Sequence, residues 1–303
     1  MSYRKIMILM LATMLLLTLG AGCRKAAGPV DGVLRYALEA EPATLDPARS
    51  TAIPDSLVQA QIFEGLTRLG DKDQPVPGAA QRWDVSADGR NYVFYLRPGV
   101  KWSNGDPVKA QDFEFAWKRA LNPDLGSENA YMLFPLLNAQ AYHEKKAAAD
   151  QVGVKAIDDM TLAVTLEKPT AYFLSLAAFH AFYPVHQKTV TADPDKWATG
   201  AATLIGNGPF RITDWKHLSR IDFAKNEHYW DSGAVRLNRM EWPISDSQST
   251  RLTMFENNQV DMMVEPPVGE HDRLGRSGVL KIAPYLGSYY YVFNTSKAPF
   301  DDV

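Results

Sequence analysis

Residues 91–123, NYVFYLRPGVKWSNGDPVKAQDFEFAWKRALNP, hold two different apolar rhythms in one short stretch. Tyr92 to Leu96 is aromatic and β-branched, which suits a pleated strand. Asp88-Gly89 just before it is a hairpin turn signal, and Asn104-Gly105 marks a second turn. The spacing then changes. Phe113, Ala116, Trp117, Ala120 and Leu121 fall on one face of a helix that Asp112 can cap and Asn122-Pro123 ends. A chain that switches in this way packs a helix on a sheet.

The rest of the chain keeps mixing the two. GVLRYALEAEPATLDPARS starts as a strand, with Val33, Arg35 and Ala37 on one side and Leu34, Tyr36 and Leu38 on the other, before Pro42 and Pro47 make a loop. DSLVQAQIFEGLTRLG reads as a helix capped by Asp55 or Ser56 and stopped by Gly65. VGVKAIDDMTLAVTLEKPT reads as strand, Asp158-Asp159 turn, strand, with Leu162, Val164 and Leu166 pointing one way. GNGPFRITDWKHLSRIDFAKNEHYWD is a Gly-rich turn followed by two strands. SDSQSTRLTMFENNQVDMMVEPP gives a capped helix, an Asn257-Asn258 turn and a short strand from Val260, and YLGSYYYVFNTSKAPFDDV reads as a last strand. The fold class is α/β with an antiparallel α+β portion, of a size that allows two domains.

The first residues differ in kind. Arg4 and Lys5 precede an almost purely apolar run, Ile6 to Leu19, and then Gly20, Ala21 and Gly22. That order is a secretory signal, and the run is short of the ~20 residues that span a bilayer. Cys23 is the only cysteine, so no internal disulfide can form. Its place behind the small residues resembles a bacterial lipobox, with Leu19 one position further upstream than the pattern prefers. A lipid-carrying sulfur and a spare thiol are the two readings of Cys23.

The net charge is −3, and no basic stripe suggests nucleic acid as a partner. His143-Glu144 is followed by Ala147 where HExxH needs its second histidine, and His180 and His186 fit no zinc spacing. They read as surface or satisfied histidines, and no metal or cofactor is expected. Gly206-Asn207-Gly208-Pro209 lacks the Lys of a phosphate loop and reads as a turn. GRSG, Gly275–Gly278, is not a nucleophile elbow. Nothing points to an enzyme.

Several longer segments occur together and in order: EPATLDP, FEGLTRL, VFYLRPGVKWSNGDPVKAQDFEFAWKRALNP, VGVKAIDDMTLAVTLEKPTAYF, GNGPFRITDW, NEHYWD, VDMM and YYYVFNTSKAPFDDV. The chain from Gly32 to Val303 resembles the oligopeptide-binding proteins of bacterial ABC importers (extracellular solute-binding, family 5), in their N-terminal portion. The resemblance implies a periplasmic-binding-protein-like clamshell of type II. Residues 1–22 would be the signal and 23–30 a lipid-anchored tether. Residues 31–64 and 170–288 would be a discontinuous first lobe and 65–169 an inserted α+β domain. Residues 289–303 would start the crossover to a second lobe that this chain lacks, so that it looks truncated.

The resemblance also implies a monomeric, exported cell-envelope lipoprotein, tied to the membrane by its anchor alone. It would take di- to oligopeptides by their backbone and deliver them to an ABC permease and ATPase. By position, Thr51 and Ile53 match the ligand-facing loop after LDP. Asn129 and Tyr131 match a contact from the inserted domain, Val264, Glu265 and Pro266 a peptide-pairing strand, and Tyr285 and Tyr290 an aromatic wall. Pro266 and Pro267 limit ladder bonding there. A relative that binds a nickel chelate or a peptide signal, and an exported hydrolase, are the alternatives.

Overall fold

The computed structural model describes residues 32–284, 287 and 290–301. The signal segment, Cys23, the tether and Tyr285 lie outside the described residues. Contacts divide the chain after Val264.

β1 (Val33–Ala37) leads through a loop into α1 (Ile53–Ile62). β2 (Thr67–Leu69) and β3 (Pro75–Pro77) form a two-stranded ribbon. β4 (Ala80–Val85) and β5 (Asn91–Leu96) form a hairpin whose turn uses Gly89 at φ +69°. α2 (Ala110–Leu121) follows, then β6 (Val154–Ala156) and β7 (Thr161–Thr165). The order β4-β5-β7-β6 is antiparallel throughout. Register sets Tyr92 opposite Val164 and Phe94 opposite Leu162, and all four are buried, as their alternation predicts. α2 buries Phe113, Ala116, Trp117, Ala120 and Leu121, the face its spacing predicts.

The capping residues sit differently from expectation. α2 starts at Ala110, so Asp112 is third in the helix and reaches back to accept from the Lys109 amide at 2.8 Å and from Trp102 Nε1 at 3.2 Å. α1 likewise starts at Ile53, ahead of Pro54, because proline fits a first turn that needs no amide there. Asp55 accepts from the Ala43 amide at 2.8 Å and the Ala52 amide at 3.4 Å. Burial raises the pKa of both carboxyls, against these hydrogen bonds.

The second sheet is assembled from distant segments. β8 (Phe210–Lys216), β9 (Arg220–Lys225) and β10 (Arg239–Pro243) run antiparallel. α3 (Gln248–Glu256) is capped by Ser247, whose side chain accepts from the Thr250 amide, and leads to β11 (Met262–Met263). The strand order is β11-β1-β10-β9-β8, with β1 parallel to both neighbours. Ile212, Phe223 and Met240 lie side by side across β8, β9 and β10 on the buried face. β11 begins two residues after Val260. Its approach is held by Asp261, which accepts from the Arg35 amide (2.8 Å), Nε (3.1 Å) and Nη2 (2.6 Å). This pairing raises the pKa of Arg35 and lowers that of Asp261.

The glycine turn is a packing device. A Cβ on Gly206 would stand 1.9 Å from the Ile62 carbonyl oxygen, and one on Gly208 would meet the Ile62–Phe63 peptide at 2.6 Å. Between them Asn207 accepts from the Glu64 amide at 3.0 Å and donates to the Glu64 carbonyl at 2.8 Å. The turn therefore clamps the end of α1.

The segment from Glu265 onward contains α4 (His271–Arg276). The expected last strand is not formed by the described residues 287 and 290–301, which have no ladder partner and turn at 295–300. Aromatic and β-branched composition favours a strand only where a neighbour supplies the ladder.

Candidate functional site

β1, β10 and β11 are parallel, so their carboxyl ends share one edge. A parallel bridge from Leu38 to Ile244 extends that edge. Ligands of open α/β sheets lie outside such ends, where the loops diverge. β11 is the outer strand, and its far side is unpaired among the described residues.

The loop from β1 to α1 is knotted by the LDP motif. Asp46 is 2% exposed and takes a two-pronged ion pair from Arg119 of α2, at 2.8 and 2.6 Å. Its carbonyl accepts from the Arg49 and Ser50 amides. At the loop's other end Glu41 accepts from Trp215 Nε1 (3.0 Å), His217 Nδ1 (2.7 Å) and the Leu218 amide (3.0 Å), which ties it to the β8–β9 hairpin. With both ends fixed, Thr51, Ala52 and Ile53 emerge exposed, Ile53 by 67%.

Asn129 reaches this loop from the other sheet's side. Its Nδ2 donates to the Ser50 carbonyl at 2.7 Å and faces His180 Nε2 at 3.3 Å. Tyr131, two residues on, is exposed. The structure thus joins Asn129 to the residue before Thr51, across segments that the sequence separates widely. Val264 directly follows β11, half-buried against the core. Glu265, Pro266 and Tyr290 belong to the following unit. Within it Glu265 is exposed at φ +51°, the Pro266 carbonyl accepts from His271 Nε2 at 3.1 Å, and Tyr290 is exposed.

The sequence reads His180 only as a surface or satisfied histidine. It is buried, which penalises its charged form and lowers its pKa to about 4. The flanking run LAAFHAFYPV signals burial, but nothing in the sequence pairs it with Asn129.

Two motifs meet elsewhere. Glu64 of FEGLTRL accepts from Tyr229 OH and Trp230 Nε1 of NEHYWD, both at 2.6 Å, and Arg97 stacks 3.7 Å from the Trp230 ring. Burial raises the Glu64 pKa against these hydrogen bonds and the charges of Arg68 and Arg97. Glu64, Arg68, Tyr183 and Tyr229 line a cavity of about 340 Å³. Both carboxylate oxygens are used within the protein, so this node fastens the chain around the end of α1. Among the described residues no group of three or more His, Cys, Asp or Glu could hold a metal. No helix among them is long and apolar enough to cross a membrane.

The profile of the bacterial extracellular solute-binding proteins, family 5 (middle region), matches residues 74–303. The chain belongs to that family. It is 38% identical to the oligopeptide-binding protein OppA of Bacillus subtilis over 289 residues, which are 94% of this chain and 52% of OppA. The structure of the murein tripeptide-binding protein MppA of Escherichia coli superposes with a TM-score of 0.86 at 34% identity, covering 90% of this chain and 54% of MppA. The structure of Haemophilus influenzae OppA in complex with RPPGFSPFR gives 0.83 at 29% identity, over 90% and 54%. The chain therefore has the mixed α/β fold of the periplasmic peptide-binding proteins, and spans about half the length of the relatives it matches.

Proposed function

We propose that this chain is part of an exported, lipid-anchored receptor that captures peptides by their main chain and delivers them to an ABC-type permease and ATPase. The observation that carries the reading is the edge where β1, β10 and β11 end together, with β11 outermost and β1 leading into the loop that exposes Thr51 and Ile53. An extended peptide can add to such an edge, and main-chain pairing is indifferent to side chains. Peptide-binding relatives, one of them in complex with RPPGFSPFR, support the choice of ligand class.

In this reading, residues 31–64 and 170–288 are the first lobe, 65–169 the inserted domain and 289–303 the start of a crossover. The residues assigned to the ligand are Thr51, Ile53, Asn129, Tyr131, Val264, Glu265, Pro266, Tyr285 and Tyr290. Cys23 is the lipid attachment point, and the signal before it directs export to the cell envelope. The protein acts as a monomer without cofactor or metal.

Calorimetry of the whole receptor with alanine peptides of three to five residues tests the ligand class. Heat of binding that varies little when alanine is exchanged for other side chains is expected. Absence of peptide binding, or binding of nickel chelates instead, would overturn the reading. Mass spectrometry of the mature N-terminus tests the anchor, and an unmodified Cys23 thiol would exclude it.

A further inference from the structure

The Asn129 amide is oriented by what surrounds it. The Ser50 carbonyl can only accept, so the Asn129 atom 2.7 Å away is the NH2 nitrogen. That nitrogen also faces His180 Nε2 at 3.3 Å, and it has only hydrogens to offer, so Nε2 accepts from it as the bare nitrogen of a neutral ring; the competing tautomer turns a ring N–H toward the same Ser50 carbonyl. Both amide hydrogens are then used. The opposite atom, Oδ1, takes no hydrogen bond from any described residue, and the side chain is only half-buried. We propose that His180 is a positioning residue: with Ser50 it locks Asn129 so that Oδ1 faces outward as an acceptor for one main-chain N–H of the ligand.

The supporting parts are rigid. Ser50 is 1% exposed, its amide donates to the Asp46 carbonyl at 3.0 Å, and Asp46 is clamped by Arg119. His180 is 8% exposed, with the Phe179 ring 4.0 Å from its own. Asp46 and Arg119 compensate one another, and burial favours the neutral imidazole that the geometry requires. A protonated ring would set a donor against the NH2 group. Turning the amide over would then set Oδ1 against the Ser50 carbonyl, so neutral His180 selects a single orientation.

The inference rests on the peptide-capture reading and adds which ligand group Asn129 meets. The test is calorimetry of the whole receptor, as wild type and as the Asn129→Ala, His180→Gln and His180→Leu variants. The probes are tetra-alanine and its singly N-methylated forms. In the wild type one N-methyl position should weaken binding by about tenfold, the upper range for one such hydrogen bond. That penalty should vanish in N129A, shrink in H180L and persist in H180Q, whose amide oxygen can still accept.

A wild type that binds none of these peptides would overturn the peptide reading itself. Binding with the same penalty in N129A would overturn the Asn129 assignment alone, and the same penalty in H180L would overturn the role of His180. Nitrogen NMR of the unliganded wild type needs no variant to fold. A proton found on His180 Nε2 at neutral pH would sink the geometry, whatever binds.

Discussion

Acidification should unfold this protein partly through one imidazole. Histidine in an unfolded chain titrates near 6.5, and burial lowers His180 to about 4. The folded state thus refuses a proton that the unfolded state accepts. The stability held in this difference is complete above pH 6.5, falls as the pH drops from 6.5 toward 4, and is gone below that. A difference of ~2.5 pH units at ~1.4 kcal/mol each makes the loss about 3 kcal/mol. At 8% exposure solvent screens the group little. Urea unfolding of the wild type and H180Q at half-unit steps from pH 7.5 to 4 isolates it. Buried carboxyls such as Glu64, Asp112 and Asp55 titrate in both proteins and cancel in the difference. The wild type should lose about 3 kcal/mol more than the variant across that window. Parallel curves would refute the reasoning.

Asn207→Ala should cost about 2–5 kcal/mol in urea unfolding, because it orphans the buried Glu64 amide and carbonyl together. Gly206→Ala should cost at least about 3 kcal/mol in the same assay, since its methyl would meet backbone 1.9 Å away with no soft side chain to yield. Arg35→Met should speed amide hydrogen exchange at Met262 and Met263 while leaving β8 and β9 protected, because Asp261 loses the guanidinium that holds it. An unchanged exchange rate there would mean that ladder bonds alone hold β11.

Local features were readable where one residue type at one spacing decides the outcome. The buried face of α2 follows from Phe113, Ala116, Trp117, Ala120 and Leu121, and the buried face of β7 from Leu162 and Val164. Helix starts were misplaced because Asp112 and Asp55 stabilise a first turn equally well from its third position as from its cap. The neighbours of β1 could not be read from alternation, which specifies a face but no partner. For the site, the family resemblance brought Thr51, Ile53, Asn129 and Tyr131 forward. The lock behind Asn129 stayed hidden, because Ser50 and His180 are joined to it only through tertiary structure.

The sheet containing β1 also sets a timetable. Arg35 and Asp261 are 226 residues apart, whereas every partner in the four-stranded sheet lies between Ala80 and Thr165. During synthesis the hairpins can close early, while β1 waits for the chain as far as Asp261 to emerge. Through that interval its greasy stretch carries one charge at its midpoint, a guard against premature pairing with other nascent chains. When Asp261 arrives, the same guanidinium stops guarding and becomes the latch.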